Sequence, residues 1–198
     1  MTLLNSSNSL KKNYLKGFYK ILFSIAIPII LQNLLQTFVN MMDTVMVGRL
    51  GSVEIAAVGL GNQIFFILNM VVFGVSSGCS IFISQFWGQE DFKGIRKTFG
   101  IMLIVCVFVS LVFTVAGIFK PEFLIGLYTR DSVVIQKASE YLRIVALSYP
   151  LMAVSFACQM AYRSTEHVIL PMTTTAISFV LNVAGNAIFI FGVESLGI

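Results

Sequence analysis

Five stretches of the chain are almost continuously apolar, and each is close to or above the roughly 20 residues that a helix needs to cross a bilayer. They cover residues 21–47, 56–82, 98–119, 144–162 and 168–193. Apolar residues at helical spacing extend the fourth stretch back to Val133, where Asp131 or Ser132 is placed to cap the helix. The pattern predicts five transmembrane helices with short connections. The fold class is therefore all-α, a polytopic helical bundle that spans residues 1–198 as a single unit.

The first stretch carries a seam of polar side chains. Its members follow steps of four, four and three residues, the spacing of one helix face: Gln32, Gln36, Asn40 and Asp43. An acid at membrane depth is by default a functional hypothesis; the alternative for Asp43 is an interfacial residue that caps the first loop near Arg49. Pro28 lies close to the same face and predicts a kink, which is either static or a hinge.

Three other stretches carry similar seams. In chain order their members are Asn62, Asn69, Ser76 and Ser80; Ser148, Ser155, Gln159 and Tyr162; and Thr175, Ser178, Asn182 and Asn186. Because unpaired polar groups in hydrocarbon cost several kcal/mol each, we expect the seams to line a shared hydrated cavity. The third stretch offers only Cys106, Ser110 and Thr114 and is expected at the periphery of that cavity. The alternative is that Ser, Thr and Asn simply hydrogen-bond the helices to one another.

Little in the chain suggests a metal site or an enzyme. Asn182 and Asn186, one helical turn apart, present two carbonyl oxygens that suit a hard cation or a carboxyl group. The three cysteines lack the spacing of a metal site and are interpreted as packing residues. No catalytic pair lies at membrane depth, so we expect no enzyme and no metal beyond a transient Na⁺ at Asp43.

Composition and charge indicate where in the cell the chain lies. The chain is 57% hydrophobic and 11% charged, against roughly 25% charged in soluble domains, which is typical of an integral membrane protein. With the N-terminus in the cytoplasm, eight Lys and Arg residues face inward and five outward. This asymmetry predicts a multi-pass protein of the cell membrane with residues 1–15 as a flexible cytoplasmic tail. Nucleic-acid binding is not expected, because no basic stripe alternates with exposed aromatic residues.

Several segments resemble the multidrug and toxic compound extrusion (MATE) transporters. The similarity covers nearly the whole chain from about Lys16. It is carried by Pro28 with the run Asp43–Gly48, by Ser84–Asp91, by Tyr162 and Arg163 through Met172, and by Asn182–Gly192. The resemblance implies twelve helices in two six-helix lobes, related by a pseudo-two-fold axis along the membrane normal.

The resemblance also implies a function and roles for residues. It implies export of cationic or amphipathic compounds driven by entry of H⁺ or Na⁺, with no other cofactor. By position, Asp43 matches the coupling acid of the N-terminal lobe, Pro28 the first-helix kink, and Asn182 a polar partner. Tyr141 matches a tyrosine found near that site in some members. Asn186 is a departure, because members with a two-acid site have an aspartate there.

The chain is less than half the length of such a transporter, and Gly192–Ile198 looks like the approach to a sixth helix. We therefore expect an N-terminal lobe of five membrane helices that is truncated before its sixth and inactive alone. Its expected partners are the bilayer, a small cationic or amphipathic substrate and the missing C-terminal lobe. Two alternatives remain: a lipid-linked saccharide flippase, which needs several arginines in its cavity, and a membrane subunit that does not transport.

Overall fold

The computed structural model describes residues 2–48 and 51–191, with side chains over residues 17–42, 44–45, 51 and 53–185. Over this range the chain forms seven α-helices and no strand. The helices are α1 (Thr2–Gly48), α2 (Ser52–Gly88), α3 (Phe92–Phe119), α4 (Pro121–Gly126), α5 (Ser132–Ala146), α6 (Tyr149–Ser164) and α7 (Ile169–Phe191). The all-α fold class predicted from the apolar pattern is confirmed.

Most of these helices are suited to a membrane. Within the described range, α1 over Gly17–Met42, α2 over Val53–Gly88 and α3 are each long and apolar enough to cross one. Helices α5 and α6 taken together, as a bent pair, are also long and apolar enough, and α7 is apolar over Ile169–Gly185. The chain is therefore a multi-pass membrane protein. The tail over residues 1–15 and the truncation before a sixth helix stay predictions, because they fall largely outside the described side chains.

The fourth predicted stretch is not one continuous helix, which corrects the expectation from the sequence. It breaks at Leu147 and Ser148, and α5 and α6 are bent by 53°. Pro150 has no N–H, so the carbonyl of Ala146, four residues earlier, loses its helical donor. The hydroxyl of Thr114 on α3 donates to that carbonyl at 2.9 Å instead. A hydrogen bond from a neighbouring helix therefore stabilises the bend.

The start of α5 is fixed locally. The carboxylate of Asp131 accepts hydrogen bonds from the backbone N–H groups of Val133 and Val134, at 2.9 and 3.4 Å. This is the cap that the sequence predicted. Just before it, Glu122 on α4 pairs with Arg143 on α5 at 2.9 Å. Both side chains of that pair are exposed, so the pair contributes little to stability.

Helix α3 lies in the core of the described bundle. It packs against α2, α5 and α6, and its buried residues are Met102, Cys106, Ser110, Thr114 and Gly117. A Cβ at Gly117 would lie 2.9 Å from the Cβ of Ala146, so this glycine allows the close approach of α3 and α5. Large apolar residues on the other face of α3, such as Ile104 and Phe108, are exposed, and its predicted place at the periphery of a cavity stays a prediction. Its small polar residues form a packing stripe whose hydroxyls bond to backbone carbonyls.

Helix α1 packs mainly against α7 and only lightly against α2, and α7 in turn has few contacts with α6. The large apolar side chains of α1, such as Phe23, Leu34 and Phe38, are exposed, which suits contact with lipid. The described chain thus has two parts: a body of helices α2 to α6, and the pair of α1 and α7. How these parts are joined determines the candidate site.

Replacing Thr114 with valine keeps the shape of the side chain and removes the hydroxyl that donates to Ala146. A buried carbonyl without a donor costs about 1–3 kcal/mol, so we expect a lower midpoint of thermal unfolding in detergent. The rate at which a maleimide dye reacts with the buried thiol of Cys106 on heating reports the transition. The matched control is Thr173→Val, which removes an exposed hydroxyl that donates to Leu170 at 2.9 Å. Equal midpoints for the two variants would contradict the role given to Thr114.

Candidate functional site

The side chain of Gln32 joins the two parts of the bundle. It is 4% exposed, in the middle of the apolar segment of α1. Its Nε2 donates to Oε1 of Gln159 on α6 at 2.8 Å and to Oγ1 of Thr175 on α7 at 2.9 Å. Its Oε1 accepts from Nη2 of Arg163 on α6 at 2.7 Å. The carbonyl of Pro171 lies 3.5 Å from Nε2. We call these five residues the Gln32 cluster.

Chemistry fixes the direction of every bond in the Gln32 cluster. A guanidinium only donates, so the oxygen of Gln32 must face Arg163 and the nitrogen must face α6 and α7. Gln159 must then present its own oxygen. The two N–H bonds of Gln32 are both used, which satisfies an amide that would otherwise cost several kcal/mol in an apolar setting. The cluster therefore holds α1, α6 and α7 in one arrangement.

Arg163 is a half-buried cation near the end of α6. Among the side chains that the structure describes, no carboxylate lies within 4.0 Å of it. Its Nε is buried and has no hydrogen-bond acceptor within the same set of residues. The cluster is thus positively charged, and the acceptor oxygen of Gln32 already faces a cation. This arrangement does not suit a bound metal ion.

A second group of predicted residues lies between α2 and α5. The hydroxyl of Tyr141 donates to Oδ1 of Asn62 at 3.4 Å, a long hydrogen bond. The ring of Tyr141 lies directly over Gly61, where an added Cβ would approach ring atoms to 2.5 Å. Gly61 is therefore required for the position of this tyrosine. The resemblance matches Tyr141 to a tyrosine near the site of Asp43, and that proximity stays a prediction because the side chain of Asp43 lies outside the described residues.

Asn69 lines a small, mostly apolar cleft between α2 and α6. The other lining residues are Phe65, Leu68, Val72, Met152, Ala153 and Phe156. Two aromatic rings, a methionine and a single amide line this cleft, whose volume of about 20 Å³ is far below the several hundred Å³ typical of a small-molecule site. The predicted seam of the second helix thus contributes one amide here, while Ser76 is buried against the Cys106 thiol at 3.4 Å.

The remaining predicted residues are not gathered into one enclosed cavity within the described range. Gln36, Asn40, Ser155 and Ser178 are exposed, and Pro28 is half-buried inside α1. Nε2 of Gln36 approaches Oδ1 of Asn40 to 3.5 Å. Asn182 is half-buried and takes part in a side-chain interaction. The side chains of Asp43 and Asn186 lie outside the described residues, so their pairing stays a prediction.

Sequence reasoning missed Arg163 as a member of the site, since it was counted only as a cytoplasmic loop charge. The signal was present: Arg163 follows Gln159 by four residues, so both lie on the face of α6 that carries the polar seam. Gly61 was also missed. The contact between Gly61 and Tyr141 depends on the packing of α2 on α5, and no local sequence pattern predicts that contact.

The sequence profile of the MatE family matches residues 28–188 of the chain. The chain belongs to the MATE family. Among curated relatives of this MATE chain, the probable multidrug resistance protein YoeA of Bacillus subtilis is 32% identical over 177 residues. The probable multidrug resistance protein NorM of Thermotoga maritima is 26% identical over 193 residues. Mouse multidrug and toxin extrusion protein 2 is 28% identical over 178 residues.

These alignments cover most of the MATE chain and a minor part of each relative. They include 87%, 93% and 87% of this chain, in the order given above, and 38%, 41% and 30% of the relatives. The chain therefore spans well under half the length of the curated relatives it matches. The match includes the whole Gln32 cluster, because all five of its residues fall within residues 28–188.

Replacing Gln32 with leucine in the MATE chain should weaken the attachment of α1 to α6 and α7. The variant leaves Gln159, Thr175 and Arg163 without their shared partner, and each unsatisfied group costs about 1–3 kcal/mol. We expect faster amide hydrogen exchange in the first turns of α7, measured by mass spectrometry in detergent. The control is Gln36→Leu on the exposed part of the same seam. Exchange in α7 that is equally unchanged in both variants would contradict the joining role of Gln32.

Proposed function

We propose that this chain forms the N-terminal lobe of a secondary active antiporter of the cell membrane, with its N-terminus in the cytoplasm. The complete transporter exports cationic or amphipathic compounds in exchange for H⁺ or Na⁺, and it is not an enzyme. The relatives described as multidrug resistance proteins support the general activity. The Gln32 cluster supports the assignment of the coupling site, because it sets how α1 lies along α7.

The Gln32 cluster sets the register of α1 against α7. The chain crosses the membrane from α1 to α2, α3, the α5–α6 pair and α7, so α1 and α7 run in the same direction. Gln32 contacts Pro171 and Thr175, which follow it by 139 and 143 residues. For parallel helices of equal rise, the same offsets hold further along the pair. Counted from Asp43, they lead to Asn182 and Asn186.

Asp43 then lies about 16 Å further along α1 than Gln32, at the rise of an α-helix. On the predicted topology this is the outer half of the membrane. A carboxylate there is costly unless it is neutralised. The carbonyl oxygens of Asn182 and Asn186 add ligands for a Na⁺, or accept a hydrogen bond from the protonated acid. Since position 186 is Asn rather than Asp, a single carboxylate carries the coupling charge of this lobe.

Transport on this proposal couples the charge on Asp43 to the shape of α1. Capture of H⁺ or Na⁺ from outside neutralises the acid, and α1 then shifts about Pro28, where the backbone ladder lacks a donor. The Gln32 cluster lies one turn from Pro28 toward Asp43, so it limits how far this part of α1 moves away from α7. Substrate release to the outside accompanies cation capture.

The C-terminal lobe is a required partner in this scheme, because alternating access moves one repeat against the other around a fixed site. The present chain is accordingly proposed to be inactive in transport by itself. Drug export is preferred to saccharide flipping for an electrostatic reason. Large anionic headgroups require several arginines, whereas the seams contribute a single guanidinium, Arg163, whose Nη2 already donates to Gln32.

The proposal predicts that Asp43→Asn abolishes cation-driven efflux in the complete transporter while insertion in the membrane stays normal. Asparagine keeps the shape and cannot change charge, so the driving cation gains no differential binding. The measurement is substrate efflux from energised vesicles under an imposed H⁺ or Na⁺ gradient. Which gradient drives the wild-type protein identifies the coupling ion.

Glu122→Gln serves as the control for Asp43→Asn. It neutralises an exposed carboxylate that is predicted on the same outer side and pairs with Arg143 at the surface. We expect efflux by this variant to remain near the wild-type rate, because exposed ion pairs contribute little. Efflux by Asp43→Asn at the rate of the Glu122→Gln control would remove Asp43 from the coupling mechanism.

A further inference from the structure

The Gln32 cluster also affects how cations move along the polar face of α1. On α1 the amides of Gln36 and Asn40 are exposed, and they lead along the seam toward position 43. Gln32 is the first buried amide met in the opposite direction. There side-chain hydrogen bonds join α1 to α6 and α7. The cluster therefore lies between position 43 and the N-terminal side of the seam.

Each oxygen at that point already uses one of its two lone pairs to accept a hydrogen bond, which leaves less capacity for a cation. Oε1 of Gln32 faces the guanidinium of Arg163 at 2.7 Å. Oε1 of Gln159 and Oγ1 of Thr175 both face the amide nitrogen of Gln32, at 2.8 and 2.9 Å. A Na⁺ or a hydronium ion needs free oxygen lone pairs in place of its hydration shell. Each of these three oxygens already accepts a hydrogen bond.

The charge at that point also opposes a cation. The guanidinium of Arg163 is always protonated, and no described carboxylate lies within 4.0 Å to neutralise it. Its Nε is buried and lacks an acceptor among the described residues. Repulsion between two unit charges a few Å apart, at the intermediate dielectric of a partly buried site, slows passage by more than tenfold.

We propose that Arg163, held in place by Gln32, is an electrostatic barrier that prevents uncoupled leakage of H⁺ or Na⁺ between the coupling site and the cytoplasm. The proposal rests on the transport function above and adds to it a role that the coupling scheme does not contain. An antiporter whose acid is reached from outside dissipates its gradient if cations continue along the seam. The barrier lets the cation bind at Asp43 and blocks its direct onward path.

The test is passive ion leak in proteoliposomes that contain the complete transporter without substrate. Arg163→Gln removes the charge, and Arg163→Lys keeps it. We expect the leak of H⁺ or Na⁺ to rise at least tenfold in Arg163→Gln, which corresponds to a barrier of at least about 1.4 kcal/mol. It should stay near the wild-type level in Arg163→Lys. The leak of Cl⁻ should not rise in either variant, since loss of a positive charge does not favour an anion.

A second variant covers the case in which Arg163→Gln fails to fold. Gln159→Glu has the same shape, and its remaining oxygen still accepts from Gln32. Its charge lies one helical turn from Arg163, within reach of an ion pair. It therefore neutralises the guanidinium without removing it, and the cation leak should rise as in Arg163→Gln. Arg143→Gln, on the exposed surface pair, is the control for loss of an arginine and should leak like the wild type.

The outcomes separate the two proposals. Cation leak that is unchanged in both Arg163→Gln and Gln159→Glu would overturn the barrier, as would an equal rise for cations and Cl⁻, which indicates a structural defect. Equal leak in the Gln and Lys variants of Arg163 would do the same, since charge would then play no part. Cation-driven efflux is measured separately with Asp43→Asn. If that variant transports normally, the coupling scheme fails while the leak pattern still decides the barrier.

Discussion

A single buried amide constrains this molecule more than any other group. Gln32 lies in an apolar environment where each unsatisfied polar atom is costly, and it has two N–H bonds and one oxygen to satisfy. It meets that requirement only when α6 presents Gln159 and Arg163 while α7 presents Thr175. The register of α1 against α7 follows from this, and so does the expected level of Asp43. The coupling site and the proposed cation barrier both depend on the same three hydrogen bonds.

The Gln32 cluster depends in turn on a bend elsewhere. Helix α6 has 16 residues, a length of about 24 Å. If α6 continued α5 in a straight line, without the 53° bend, its far end would lie roughly 19 Å to the side of its observed axis. Pro150 starts the bend by removing a donor, and Thr114 on α3 completes it by supplying one to Ala146. The small residues of α3, which the sequence showed only as a minor polar set, are therefore part of how Gln159 and Arg163 reach α1.

Three of the five residues of the Gln32 cluster were accessible to sequence reasoning. Gln32, Gln159 and Thr175 were recognised because polar residues repeat at helical steps on apolar helices, and that periodicity needs no knowledge of neighbours. Arg163 was not recognised, because a basic residue at a helix end is indistinguishable from the many that face the cytoplasm. The fourth stretch was extended as one helix because the apolar spacing continues through Leu147, while the effect of Pro150 depends on a donor from another helix.

The sequence by itself determined that the chain is an all-α membrane protein, where its apolar stretches lie, and that one acid occurs in the first of them. These follow from hydropathy and local spacing, which act along the chain. Only the tertiary structure decided which helices the small residues of α3 contact, that α5 and α6 are separate helices, and that Arg163 donates to Gln32. Each of these depends on which helix faces which, because a hydrogen bond between distant residues is satisfied only by the partner that packing brings near.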